Sequence, residues 1–244
     1  MLAAACGAGT STNTTSASTT SSTDAAGASS TTVGDAACAT IPEETGGPYP
    51  ADGTNGPNVL TTDGVVRSDI TTSFGELEGV AEGVPLRIEL TIVDTGAGCA
   101  PLAGAAVYLW HCDAEGGYSL YSNGLEDQNY LRGVQVADDD GRLSFTSIYP
   151  GCYSGRWPHI HFEVFETLGA ATSGRNAVVT SQIALTEDVS AAVYDDGDYT
   201  GSEQNLSRVT LSSDNVFSDG AEAQTPTVTG DAASGYTIQL TVGV

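Results

Sequence analysis

The 244-residue chain contains no lysine: seven arginines carry all of its positive side-chain charge, against 31 Asp and Glu, for a formal net charge of −24 at pH 7. A chain so short of cations repels phosphate backbones and anionic headgroups, which argues against nucleic-acid binding and against a polybasic membrane contact. No apolar run approaches the roughly 20 residues that span a bilayer. No segment sustains an apolar repeat of 3.6 residues, so long amphipathic helices are not expected, although residues 187–194 could make a short helical turn. No internal repeat is visible.

A charged n-region and a full apolar h-region are also missing from the N-terminus. What stands there, Leu2-Ala-Ala-Ala-Cys6-Gly7, looks like the trimmed cleavage and lipidation site of a bacterial lipoprotein. Residues 10–32 are nearly all Ser, Thr, Ala and Gly and have too little apolar surface to offset their ordering entropy. The expectation is a disordered linker over residues 1–37, tethered by a lipid at Cys6, and one folded domain over 38–244 that works at the cell surface or outside the cell. The other cysteines, Cys38, Cys99, Cys112 and Cys152, are even in number, and disulfides are plausible in an exported chain.

From residue 84 onward the pattern has period two. In Leu86-Arg-Ile-Glu-Leu-Thr-Ile92 apolar and polar residues alternate, and 105–110, 142–148, 159–165, 178–185, 208–211 and 236–242 read similarly. Turn signals separate them at 94–98, 138–141, 151, 196–197 and 234–235. Many short strands joined by Gly/Asp turns imply an all-β domain, a β-sandwich.

His159 and His161 lie in Arg156-Trp-Pro-His-Ile-His-Phe-Glu-Val-Phe165. On a strand they share one face with Glu163, while Ile160, Phe162 and Val164 share the other. The two imidazoles would stand roughly 7 Å apart at their bases, a spacing at which both reach one metal. An isolated His-x-His pair is a weak signal, and the neighbourhood supplies the rest: Ile148-Tyr-Pro-Gly-Cys-Tyr-Ser-Gly-Arg156 immediately before it, and Val107-Tyr-Leu-Trp-His-Cys-Asp-Ala-Glu-Gly-Gly-Tyr-Ser119 further upstream.

These three blocks, in this order, resemble the intradiol ring-cleavage dioxygenases, the family of catechol and protocatechuate dioxygenases. The resemblance runs from about Gly47 to the C-terminus and includes Gly47-Pro-Tyr49, Leu131-Arg-Gly133, Asp140-Gly141 and Thr180-Ser-Gln-Ile183. It implies a β-sandwich of the intradiol dioxygenase core type holding Fe(3+). The enzyme would open catechol-type rings with O2 to cis,cis-muconate-type dicarboxylic acids. Carried over position by position, the iron ligands are Tyr118, Tyr153, His159 and His161. By the same resemblance Tyr153 and His159 are axial, Tyr118 and His161 equatorial beside a solvent-derived hydroxide, and Tyr153 acts as a base toward the substrate. Two phenolates are hard anionic donors that favour ferric iron, and the metal forces their deprotonation below the usual pKa of about 10.

Arg156 matches the family's active-site arginine, whose charge would stabilise electron density developing on the substrate ring. Gln182 matches a glutamine that either contacts the substrate or supports the site from behind, and Tyr49 matches a pocket-lining, substrate-binding tyrosine. His111 reads as packing or supporting the site rather than binding the metal. Only Ser154 and Gly155 separate Tyr153 from Arg156, and the helical dimerisation segment of the catechol enzymes is absent, so the chain looks more like a compact, exported branch of the family. Four cysteines allow three pairings. If both tyrosines bind one iron, their segments converge, which favours Cys112–Cys152 with Cys38–Cys99 as the second bridge. Two rival readings stand beside this one: a non-catalytic transthyretin-like surface binding module, and a zinc site built from His159, His161 and Glu163.

Overall fold

The computed structural model describes residues 39–195 and 198–244. The linker, Cys6, Cys38, the boundary at residue 38 and the turn at 196–197 lie outside the described residues.

The chain runs through β1 (Pro85–Asp94), β2 (Ala100–Pro101), β3 (Ala106–Trp110), β4 (Arg132–Val136), β5 (Arg142–Ile148), β6 (His159–Phe165) and β7 (Val179–Ala184), then the short helices α1 (Glu187–Tyr194) and α2 (Ser202–Leu206), then β8 (Thr227–Asp231) and β9 (Gly235–Gly243). One sheet has the order β2-β1-β9-β8, with β5 also paired to β1, and the other β4-β3-β6-β7. Two mostly antiparallel sheets with little helix make an all-β sandwich, as the alternating pattern predicts. The exception to antiparallel pairing is β1 with β9, which run parallel from Leu86↔Tyr236 to Val93↔Gly243.

The period-two pattern places the core. Leu86, Ile88, Leu90 and Ile92 of the first sheet and Val107, Leu109, Ile160, Phe162 and Val164 of the second belong to one buried cluster. Burying such a side chain contributes about 1.5–3 kcal/mol of transfer free energy. The opposite face of β3 is buried too: Ala106, Tyr108 and Trp110 join Val59, Leu60 and Phe74 in a second cluster. Residues 51–74 therefore cover the outer face of the four-stranded sheet, so every residue of β6 is buried. His159, His161 and Glu163 occupy this covered face.

Arg132, wholly buried, ties the cover to the sheet. Its guanidinium donates to Ser119 Oγ (3.0 Å) and Ser119 O (2.9 Å), to Pro50 O (2.9 Å) and to Tyr108 Oη (3.2 Å). The loops that carry Tyr118 and Tyr49 are thus fastened by one side chain to β3 and β4.

Two expectations are corrected. Residues 208–211 form no strand; Thr210 and Ser213 cap each other around a 3-10 turn over Leu211–Ser213, because their short hydroxyl side chains satisfy the backbone locally. Cys112 and Cys152 are both free and buried rather than bridged. Their segments do converge, but each thiol turns toward a carbonyl, Cys112 Sγ to Gly151 O (3.4 Å) and Cys152 Sγ to Arg156 O (3.5 Å). Burial pushes the Cys152 thiol up to about 12, and it stays protonated. Cys99 is disulfide-bonded.

Candidate metal centre

Each of the four expected ligands reaches the same point by a different local device. Tyr118 follows a turn in which Asp113 Oδ1 accepts from Glu115 N (3.1 Å) and Gly117 N (2.8 Å), and Tyr118 N donates to Ser122 Oγ (2.8 Å). Gly116 in that turn has φ +84°, and a Cβ on it would lie 3.0 Å from Tyr153 Cβ. A side chain at 116 would both strain the backbone and press on the second tyrosine. The Tyr153 segment is pinned from α2 and its surroundings, with Ser202 Oγ accepting from Cys152 N (2.9 Å) and Asn205 Nδ2 donating to Cys152 O (2.8 Å).

His159 stands at the start of β6, with Nδ1 2.5 Å from Trp157 O. A carbonyl only accepts, so Nδ1 carries the proton and the lone pair is on Nε2. His161, two residues on, lies flat against Trp110 with ring centroids 4.9 Å apart and planes 5° from parallel.

The four functional atoms converge. His159 Nε2 is 3.1 Å from His161 Nε2, 3.1 Å from Tyr153 Oη and 3.5 Å from Tyr118 Oη, and the two phenol oxygens are 3.4 Å apart. Ligands held about 2.0–2.2 Å from a common ion stand about 3–3.5 Å from one another. Burial, reinforced by the charge of Arg156, lowers His159 to about 3, and burial also takes His161 well below the usual histidine range. Both imidazoles are neutral, the form that binds metal. Burial raises Tyr153 to about 12 and Tyr118 well above the usual phenol range. Without a cation both phenols keep their protons; a highly charged metal reverses that balance. Among the described residues no group of three or more His, Cys, Asp or Glu could hold a metal ion. The phenols are the donors that complete a set of four here, and an oxygen and imidazole set of this kind fits iron.

Glu163 shares the histidines' strand face but not their cluster. It pairs with Asp52, and Gly174 packs over both, where a Cβ would lie 1.8 Å from Asp52 Oδ2 and 2.9 Å from Glu163 Oε1. Burial and then the nearby charge of Asp52 raise the Glu163 carboxyl to about 9. The zinc reading loses its third ligand. A carboxyl raised in the fold stabilises the fold fully below its unfolded pKa, and this contribution falls away as pH rises toward 9. The stability difference between the native protein and Glu163→Gln is therefore expected to fall from pH 5 to pH 9, by at most about 1.4 kcal/mol per pH unit. Denaturant titrations at each pH measure it, and a pH-independent difference would contradict the assignment.

Arg156 borders the cluster. Its Nη1 is 3.3 Å from His159 Nε2, its Nη2 donates to Gln182 Oε1 (2.7 Å), and its Nε donates to Asp214 Oδ2 (2.9 Å). Gln182 is fully buried, and its Nε2 donates to Thr45 O (2.7 Å), so both amide ends are committed to protein groups and it meets the site through Arg156. Tyr49 is 38% exposed and lies 5.1 Å, centroid to centroid, from both Tyr118 and Tyr121, at the rim of the cluster. His111 is buried, with Nδ1 donating to Cys112 O (2.7 Å) and Nε2 accepting from Ser147 Oγ (2.7 Å), and both nitrogens are used in packing. Asp214 and Asp52 were not anticipated. Asp214 sits in Ser-Ser-Asp-Asn, which reads as an ordinary turn, and nothing local in the sequence marks its contact with Arg156.

A family profile described as Dioxygenase matches residues 56–188, more than half of the chain. The chain is similar to a chlorocatechol 1,2-dioxygenase of Rhodococcus opacus, 38% identical over 71 residues, which cover 29% of this chain and 27% of that protein. The match thus spans about a quarter of the relative's length. In structure it is similar to an intradiol ring-cleavage dioxygenase from Tetranychus urticae, with TM-score 0.66 and 24% identity, covering 84% of this chain and 94% of that one. The catechol 1,2-dioxygenase of Pseudomonas arvilla C-1 has TM-score 0.51 and 20% identity, covering 83% and 61%. These structural likenesses establish the shared sandwich, and with the profile match they place the chain in the family of intradiol ring-cleavage dioxygenases.

Proposed function

We propose that the chain is an iron(III)-dependent intradiol dioxygenase that cleaves catechol-type rings with O2 to cis,cis-muconate-type dicarboxylic acids. The observation that carries this is the convergence of two phenol oxygens and two imidazole Nε2 atoms within 3.1–3.5 Å of their neighbours, beside a guanidinium. Tyr118, Tyr153, His159 and His161 would hold the metal. Bound there, ferric iron supplies a Lewis-acid centre that draws electron density out of a chelated catecholate ring and so opens it to O2.

The chain's own residues divide the remaining work. Arg156 turns Nη1 toward the cluster and stabilises negative charge on the substrate. Tyr118 is almost entirely buried, whereas Tyr153 is half-buried, so Tyr153 Oη is the phenol oxygen placed to take a proton from an incoming catechol hydroxyl. Trp110, stacked on His161, closes the inner side against water. Tyr153→Phe is expected to bind iron more weakly, measured by elemental analysis, because one of the four donors is gone, and to lose on the order of 10²-fold in kcat per bound iron through loss of the base. Native kcat in that variant would remove the proton-accepting role. The proposed setting is an oxidising compartment outside the cell or at its surface, with a lipid anchor at Cys6 as part of the same proposal; the disulfide at Cys99 supports it.

Aerobic purification with iron tests the whole reading. Tyrosinate coordination to iron(III) should colour the concentrated protein red to burgundy, and oxygen uptake should follow addition of catechol, protocatechuate, hydroxyquinol, pyrogallol or caffeate. A colourless protein with no uptake on any of them sinks it.

A further inference from the structure

Asp214 lies 58 residues beyond Arg156 in sequence and is fully buried. The turn before it is set by Thr210 and Ser213, which exchange side-chain and backbone hydrogen bonds, and Asp214 N donates to Thr210 O (2.9 Å). Its Oδ1 accepts from Val216 N (2.8 Å) and Phe217 N (3.2 Å), bonds that only shape its own loop. Its Oδ2 reaches elsewhere, accepting from Arg156 Nε (2.9 Å) and Trp157 N (2.7 Å).

Both of those bonds lead to the site. The guanidinium donors lie in one plane in a fixed fork. With Nε held by Asp214 and Nη2 held by Gln182 Oε1, that plane is determined, and Nη1 arrives 3.3 Å from His159 Nε2. Trp157, held through its N–H, presents its carbonyl to His159 Nδ1, which fixes the tautomer and aims Nε2 at the cluster. One carboxylate oxygen therefore governs the orientation of a cationic group and of an imidazole.

We propose that Asp214 is a positioning residue for the ring-cleavage site, holding Arg156 Nη1 and His159 Nε2 in register with each other. This rests on the function proposed above. A residue that merely closed its loop would need only the Oδ1 bonds; the Oδ2 bonds connect it to the chemistry.

Asp214→Asn and Asp214→Glu in the full chain test this. For the iron-loaded Asn variant the expected result is a fall in kcat per bound iron on the order of 10²-fold. KM should change by less than about threefold, and the tyrosinate-to-iron absorption band should shift. The double variant with Arg156→Lys should be no slower than the slower single variant, because both substitutions act through one guanidinium. Native kcat per iron with an unmoved band, or effects that multiply in the double variant, would overturn the proposal. The metal-free protein supplies a readout independent of activity and of iron. The Arg156 Nε–H resonance should exchange slowly in the native chain, be lost from slow exchange in the Asn variant and move in the Glu variant, which keeps the charge if Asn fails to fold. An unchanged resonance in the folded variants refutes the proposal even if ring cleavage is found. A native chain that is colourless and inactive, with this resonance still dependent on Asp214, would refute the proposed function and leave the positional contact standing.

Discussion

His161→Ala is expected to yield a colourless protein with no measurable ring cleavage, and His159→Ala the same. Each imidazole supplies one of four converging donors, and neither has a substitute within reach, since the nearest acid on their strand, Glu163, is turned to Asp52. Losing only the hydrogen-bond partner of a metal-bound histidine costs about 10–100-fold in metal affinity or activity, so losing the ligand should exceed the upper end of that range. The fold should survive, because Ile160, Phe162 and Val164, the residues of β6 that pack in the main core, are untouched. Iron content, visible absorption and oxygen uptake measure the effect together. Full iron and native turnover in either variant would remove that histidine from the ligand set.

Arg156→Lys is expected to retain iron and colour while kcat falls on the order of 10²-fold or more, the usual cost of removing an oriented electrostatic contact. The reason is geometric rather than a matter of net charge. Arg156 donates at once to Asp214, to Gln182 and toward the donor cluster, from three different nitrogens of one rigid plane. An ammonium is a compact point charge that cannot span the three. It would settle on Asp214, the only partner bearing a full negative charge, and withdraw from the site. Steady-state kinetics normalised to iron check this, and an unchanged kcat would mean that the guanidinium serves the fold alone.

Much of this was legible in the residue order, for physical reasons that differ from element to element. The strands β1, β5, β6 and β9 announce themselves because one face of each is buried against the opposite sheet, which forces a period of two. Strand β8 is exposed along most of its length and shows no such pattern. Residues 208–211 alternate by chance, and the hydroxyls at 210 and 213 decide their conformation instead. Tyr118, Tyr153, His159 and His161 could be chosen because each sits in a dense local block. Asp214 and Asp52 could not, because what matters about them is a partner 58 or 111 residues away in sequence, and Arg132, although it stood in the Leu131-Arg-Gly133 block, gave no sign of its bond to Pro50, 82 residues away. The Cys112–Cys152 inference failed in a more instructive way. The two segments do come together, as the shared site demands, but proximity of chains says nothing about the direction of a thiol, and both point to carbonyls.

The parallel pairing of β1 with β9 also bears on how the chain can fold as it is made. Strand β1 is an interior strand of its sheet, yet the neighbour on one side of it, residues 235–243, is synthesised about 150 residues later. Until that stretch emerges, the edge of β1 that β9 covers has no partner strand. Contacts of such long sequence separation also slow folding, because the loop must close before any pairing rewards it. The sheet that contains β1 therefore cannot be completed until β9 is free, and until then the open edge of β1 is exposed to pairing with other chains.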